Sequence, residues 1–126
     1  MLAVTLPTKS LRAGLVAALM LLPALATAHA KLTQSMPANG SVLTRAPAQI
    51  QLTFNEPARI TALNILKSGD KAATKLGPLP RAVSATFMVA LPKLAPGKYT
   101  VTYRVMGDDN HLMSGSLTFS VSAGRL

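Results

Sequence analysis

"LAPGKYTVTYRV", residues 94–105, decides the fold class. From Tyr99 onward the chain alternates. Tyr99, Val101, Tyr103 and Val105 fall on one side of an extended backbone, and Thr100, Thr102 and Arg104 on the other. Successive side chains of a strand point to opposite faces, so this is a strand with one buried face. Pro96 and Gly97 stand directly before it and mark a turn that feeds it.

Working outward, the same period of two recurs. "QIQLTF" (49–54) puts Ile50, Leu52 and Phe54 on one face, and "SLTFSVS" (116–122) does the same with Leu117, Phe119 and Val121. Weaker strands are expected at 31–36, 60–67 and 84–90, while 72–79 is ambiguous. Turn signals separate them: "PANGS" (37–41), "RAPA" (45–48), "NEP" (55–57), "KSGDK" (67–71), "GPLP" (77–80) and "GDDN" (107–110). No segment after residue 28 carries a convincing helical stripe. The expectation is an all-β domain of about seven strands, an antiparallel sandwich or barrel. The Leu-x-Pro-Gly-x-Tyr entry at 94–99 resembles that of immunoglobulin-like sandwiches, in which the corner tyrosine bonds its hydroxyl back to the backbone.

The first 28 residues read as an export signal. Lys9 and Arg12 supply a positive start, "AGLVAALMLLPALA" (13–26) is apolar but short for a membrane span, and Ala26-Thr27-Ala28 offers small residues for cleavage. Cleavage after Ala28 leaves one domain, 29–126, of 98 residues (126 less 28), destined for the periplasm. It has no cysteine, so packing alone must hold it, and thiolate metal sites and cysteine nucleophiles are excluded. It carries eleven basic residues against four acidic ones, a net of +7. The basic residues are dispersed, and no tryptophan accompanies them. A nucleic-acid site wants a dense basic patch with stacking aromatics, so no nucleic-acid partner is expected.

Cleavage would make His29, one of only two histidines, the first residue. Its α-amine and imidazole can then grip one metal as a chelate. The amine has an ordinary pKa of about 7.7–8, so a metal displaces its proton near neutrality. The other histidine is His111, in "MGDDNHLMSGS" (106–116). Asp109 stands two residues before it, and in an extended segment such neighbours point the same way. Two imidazoles, one amine and one carboxylate make an N,N,N,O set, which in tetragonal geometry favours Cu(II).

At this point the chain resembles the CopC family of periplasmic copper-binding proteins, small Greek-key β-barrels of immunoglobulin-like build. The residues that carry the resemblance are "HAKLTQSMPANGS" (29–41), "PAQIQLTFNEP" (47–57) and "YRVMGDDNHLMSGSLTFSV" (103–121), so it covers nearly all of 29–122. It implies Cu(II) ligation by the His29 amine and imidazole, Asp109 and His111. Asp108 is the rival carboxylate; the family spacing favours Asp109. Glu56 matches an acidic position near the copper in relatives, which implies a partner that orients an imidazole; otherwise it is a solvated turn residue. Some members carry a Cu(I) site in a methionine-rich loop, and "LKSGDKAATKLGPLPRAVSA" (66–85) has neither methionine nor histidine. Met88 and Met106 fit strand positions and are expected in the core. Met36 and Met113 flank the copper segments and are expected to pack rather than bind.

The resemblance implies a carrier or buffer for copper homeostasis or resistance, which passes its ion to a membrane copper-transport protein and is not an enzyme. Two other readings stand beside it. A histidine brace also serves copper oxygenases, but these keep an open coordination position and a sugar-stacking face, for which five aromatics are few. A metal-free immunoglobulin-like interaction module would explain the fold and leave His29 and the Asp-x-His pair as coincidences.

Overall fold

The computed structural model describes residues 30–123; the expected signal peptide, His29 and residues 124–126 lie outside them. The described chain forms seven strands: β1 Leu32–Met36, β2 Ser41–Leu43, β3 Gln49–Lys67, β4 Thr74–Lys75, β5 Ser84–Ala90, β6 Gly97–Gly107 and β7 Leu112–Val121. Among the described residues there is no helix, and so none long and apolar enough to cross a membrane. The all-β expectation holds, with two departures.

The first is β3. The sequence predicts a turn at "NEP" (55–57), yet the strand runs through it for 19 residues. What changes there is the choice of partner. Gln49–Phe54 pairs with β1 and with β5, which reaches on to Ala58 through Ser84, whereas Ala58–Lys67 pairs with β6 and, at Asn64 and Ile65, with β4. The register shifts between Thr53 and Ala58. Pro57, which has no N–H to give a ladder, sits in this irregular stretch. One long strand thus turns a corner and joins two halves of a curled sheet.

The second departure is β2, which pairs parallel to β7 at Ser41↔Phe119, Val42↔Ser120 and Leu43↔Val121. Asn39 and Gly40 bring it there. The Thr118 N–H donates to Asn39 Oδ1 at 2.9 Å, and the Gly40 N–H donates to the Thr118 carbonyl at 2.6 Å.

The alternating faces bury as the period of two requires. Ile50, Leu52, Phe54, Tyr99, Val101, Val105, Leu117, Phe119 and Val121 all lie in the core. The Tyr99 hydroxyl donates to the Ala95 carbonyl at 2.6 Å, the expected tyrosine corner. Burial raises the Tyr99 pKa above its ordinary value, so the hydroxyl stays a donor at physiological pH. Met88 corrects an expectation: it is 51% exposed. Its neighbours Phe87 and Val89 take the inward face of β5, so parity sends Met88 out. Met106 and Met113 are half-buried, and only Met113 of the two packs on the core.

Tyr103 faces Gly115 across the β6–β7 ladder. Its ring packs edge-on against Phe54, centroids 5.6 Å apart, and crosses the space where a Cβ on residue 115 would project. Gly115→Ala should therefore force the ring aside and destabilise the fold by about 1–3 kcal/mol, as overpacking does. Urea unfolding of that variant checks this. A midpoint equal to that of the parent chain would mean that the ring has room to move.

Candidate metal centre

The loop that carries Asp109 and His111 closes the β6–β7 hairpin. The ladder runs without a shift from Gly97↔Val121 to Met106↔Leu112, so the reversal must occur within Gly107–His111. The Asn110 N–H donates to the Gly107 carbonyl at 3.0 Å, and the Gly107 N–H donates to the His111 carbonyl at 3.2 Å. Asn110 takes φ 64°, in the left-handed region that asparagine tolerates better than most residues.

That turn brings Asp109 and His111 together. Asp109 Oδ1 accepts the His111 backbone N–H at 3.1 Å, and Oδ2 lies 2.9 Å from His111 Nδ1. The pair converges as the sequence predicts, but for a different reason. The segment is not extended; the aspartate folds back over a turn, as Asx residues do. The hydrogen bond from the imidazole, and then that from the backbone, hold the Asp109 carboxyl below the usual carboxylate range. It is therefore ionised at neutral pH and can only accept. The proton of a neutral His111 then sits on Nδ1, the nitrogen that faces Asp109. Both side chains are exposed, at 65% for His111 and 36% for Asp109.

Asp108 goes elsewhere. It lines a hollow of about 240 Å³ with Ala58, Arg59, Val83, Met106, Gly107 and Asn110. Glu56 lies half-exposed in the corner stretch of β3. Among the described residues no hydrogen bond or ion pair joins it to Asp109 or His111, and no group of three or more His, Asp or Glu side chains gathers.

His29 lies outside the described residues, but the residues that follow it are firmly placed. Ala30 is buried at 4% exposure. The Lys31 N–H donates to Asn55 Oδ1 at 2.6 Å, and the Asn55 N–H donates back to the Lys31 carbonyl at 2.9 Å. Asn55 is three residues from Ala58, and Ala58 pairs with Gly107 at the foot of the Asp109–His111 loop. The start of the described chain and the loop thus share one end of the barrel. The sequence analysis missed Asn55. The pattern does not mark it, because Asn55 falls on the polar face of Gln49, Gln51 and Thr53; only the docked chain shows its role.

A family model described as the CopC domain matches residues 32–122. This chain belongs to the CopC family. Among its relatives, copper resistance protein C of Pseudomonas syringae pv. tomato is 39% identical over 117 residues, 85% of this chain and 91% of that one. The copper transport protein CutJ of Bacillus subtilis is 31% identical over 108 residues, covering 82% of this chain and 20% of that much longer protein. The fold is that of the crystal structure of CopC from Methylosinus trichosporium OB3b, with a TM-score of 0.65 at 22% identity over 75% of this chain and 94% of that one. Membership accounts for the curled seven-stranded β architecture.

Proposed function

We propose that this CopC-family chain is a periplasmic copper carrier or buffer, released from a signal peptide by cleavage after Ala28. It holds one Cu(II) through the His29 amine and imidazole, Asp109 and His111. It serves copper homeostasis or resistance as a carrier rather than an enzyme. The observation that carries the reading is the shared barrel end. Residues 30 and 31 are pinned beside Asn55, and the Asp109–His111 loop rises from Gly107, the partner of Ala58.

The donor chemistry fits. Asp109 is ionised and has no proton to displace, and His111 adds an imidazole beside it. Oδ1 stays on the His111 backbone N–H, which leaves Oδ2 to exchange the imidazole for the metal. Glu56, next to the anchoring Asn55, is the partner that steadies an imidazole on the N-terminal side. The recipient is a membrane copper-transport protein. In support, a longer protein named for copper transport contains a stretch similar to this chain.

His111→Ala tests the ligand set. Loss of an outer partner alone commonly costs 10–100-fold in metal affinity, so loss of a ligand should cost more than about a hundredfold in a Cu(II) titration. Unchanged affinity would sink the assignment.

A further inference from the structure

The charges that the sequence scatters are sorted by the fold. One end of the barrel holds Asp109 and His111. The opposite end is where β3 finishes, where the Leu91–Pro96 connection crosses, and where β6 begins at Gly97. Gly97 and Gly107 are ten residues apart along one strand, about 33 Å at 3.3 Å per residue. At or near the far end stand Arg45, Lys67, Lys71, Lys93 and Lys98, with Asp70 as the one carboxylate among them, a net of +4; Lys75 pairs with Asn64 midway along the barrel. The metal end and the adjoining half of the barrel hold Lys31, Arg59, Arg81 and Arg104 against Glu56, Asp108 and Asp109, a net of +1 with histidine neutral.

The kind of base differs too. Four of the five at the far pole are lysines, and three of the four at the metal end are arginines. Three of the four lysines are exposed, and the stem of Lys67 lies along Gly97 at the barrel edge. Lysine is a strongly hydrated point charge on a flexible stem, without the planar fork that makes arginine a fixed-geometry ligand. Protein interfaces anchor on aromatics and arginine; among the described residues the pole exposes no aromatic side chain. A diffuse lysine surface with no aromatic anchor, and with Arg45 as its one arginine, matches a fluid anionic surface, to which each basic residue adds attraction within a Debye length, about 8 Å at physiological salt.

We propose that this lysine pole docks the protein on anionic lipid bilayers and leaves the Asp109–His111 end turned toward the aqueous space. The proposal does not depend on the copper reading. It makes the chain a surface-held collector whose binding end stays open to soluble donors.

The test uses a chain starting at His29. It contains every buried core residue, from Ala30 to Val121, and lacks the apolar 13–26 stretch that would itself enter a bilayer. Sedimentation with phosphatidylglycerol-containing vesicles at low salt should carry the protein down, while pure phosphatidylcholine vesicles should not. Added salt should release it. Lys93→Glu with Lys98→Glu should lower partitioning more than about tenfold. Arg59→Glu with Arg81→Glu, the same change in net charge at the other end, should lower it far less; circular dichroism checks that both variants are folded. No sedimentation at low salt overturns the proposal. So does equal loss from both pairs, which would mean net charge without a pole. Retention on immobilised polyglutamate but not on vesicles would also overturn it, in favour of an acidic protein partner.

Discussion

One extra residue placed before His29 is expected to weaken Cu(II) binding by more than about a hundredfold, or about 2.7 kcal/mol. The extension changes no side chain. It converts the α-amine, whose ordinary pKa is about 7.7–8, into an amide nitrogen, which donates to a metal only after losing its own proton. The five-atom linkage between amine and imidazole is lost as a chelate, and the remaining donors are two imidazoles and one exposed carboxylate. The described fold stays intact, because Ala30 and Lys31 keep their burial and their bonds to Asn55. Titration followed by electron paramagnetic resonance separates the outcomes. A nitrogen-rich tetragonal signal at one equivalent, seen only in the chain that begins at His29, supports the carrier. Equal binding by both chains would move the site to Asp109 and His111 without the terminus. Binding by neither would favour a metal-free interaction module on the same barrel.

The strands were legible where one face is buried and the other wet, because alternation then has no competing explanation. Tyr99 to Val105 and Leu117 to Val121 are such cases. β2 was not, since its three residues are held by Asn39 and Gly40 against Thr118, a contact 79 residues away for Asn39. The corner in β3 was misread because Asn55 and Pro57 are turn formers in most settings. Here they serve a strand that changes partners, where a missing N–H is tolerated. Met88 faces outward by the parity that its inward neighbours Phe87 and Val89 declare. The Asp109–His111 pair was found by spacing, although the geometry that unites it is a turn with a left-handed Asn110. What spacing could not reveal is that the chain's start and this loop share one end of the barrel. That depends on Asn55 and Ala58, tertiary contacts with no local trace.

Phe54→Ala is expected to cost about 3–5 kcal/mol, the usual range for removing a buried aromatic. Phe54 is 3% exposed and packs edge-on against both Phe87, at 6.0 Å between centroids, and Tyr103, at 5.6 Å. It is the last inward residue of β3 before the corner, paired with Leu32 on β1. Its loss therefore opens a cavity where the strand changes partners. Domains of this kind are stable by only about 5–15 kcal/mol, so the variant should melt many degrees lower or be partly unfolded at rest. Because Phe54 offers no donor atom, its replacement should leave the metal ligands themselves intact. A ligand that binds only the folded chain stabilises it by about 2.7 kcal/mol at a hundred times its dissociation constant, so Cu(II) should recover much of the lost melting temperature. Recovery in a chain that begins at His29, and little in one carrying the extra residue, would tie the metal to the native barrel through its first residue. A melting temperature that copper leaves unmoved in both would mean that the fold and the metal are not coupled, and would argue against the carrier reading.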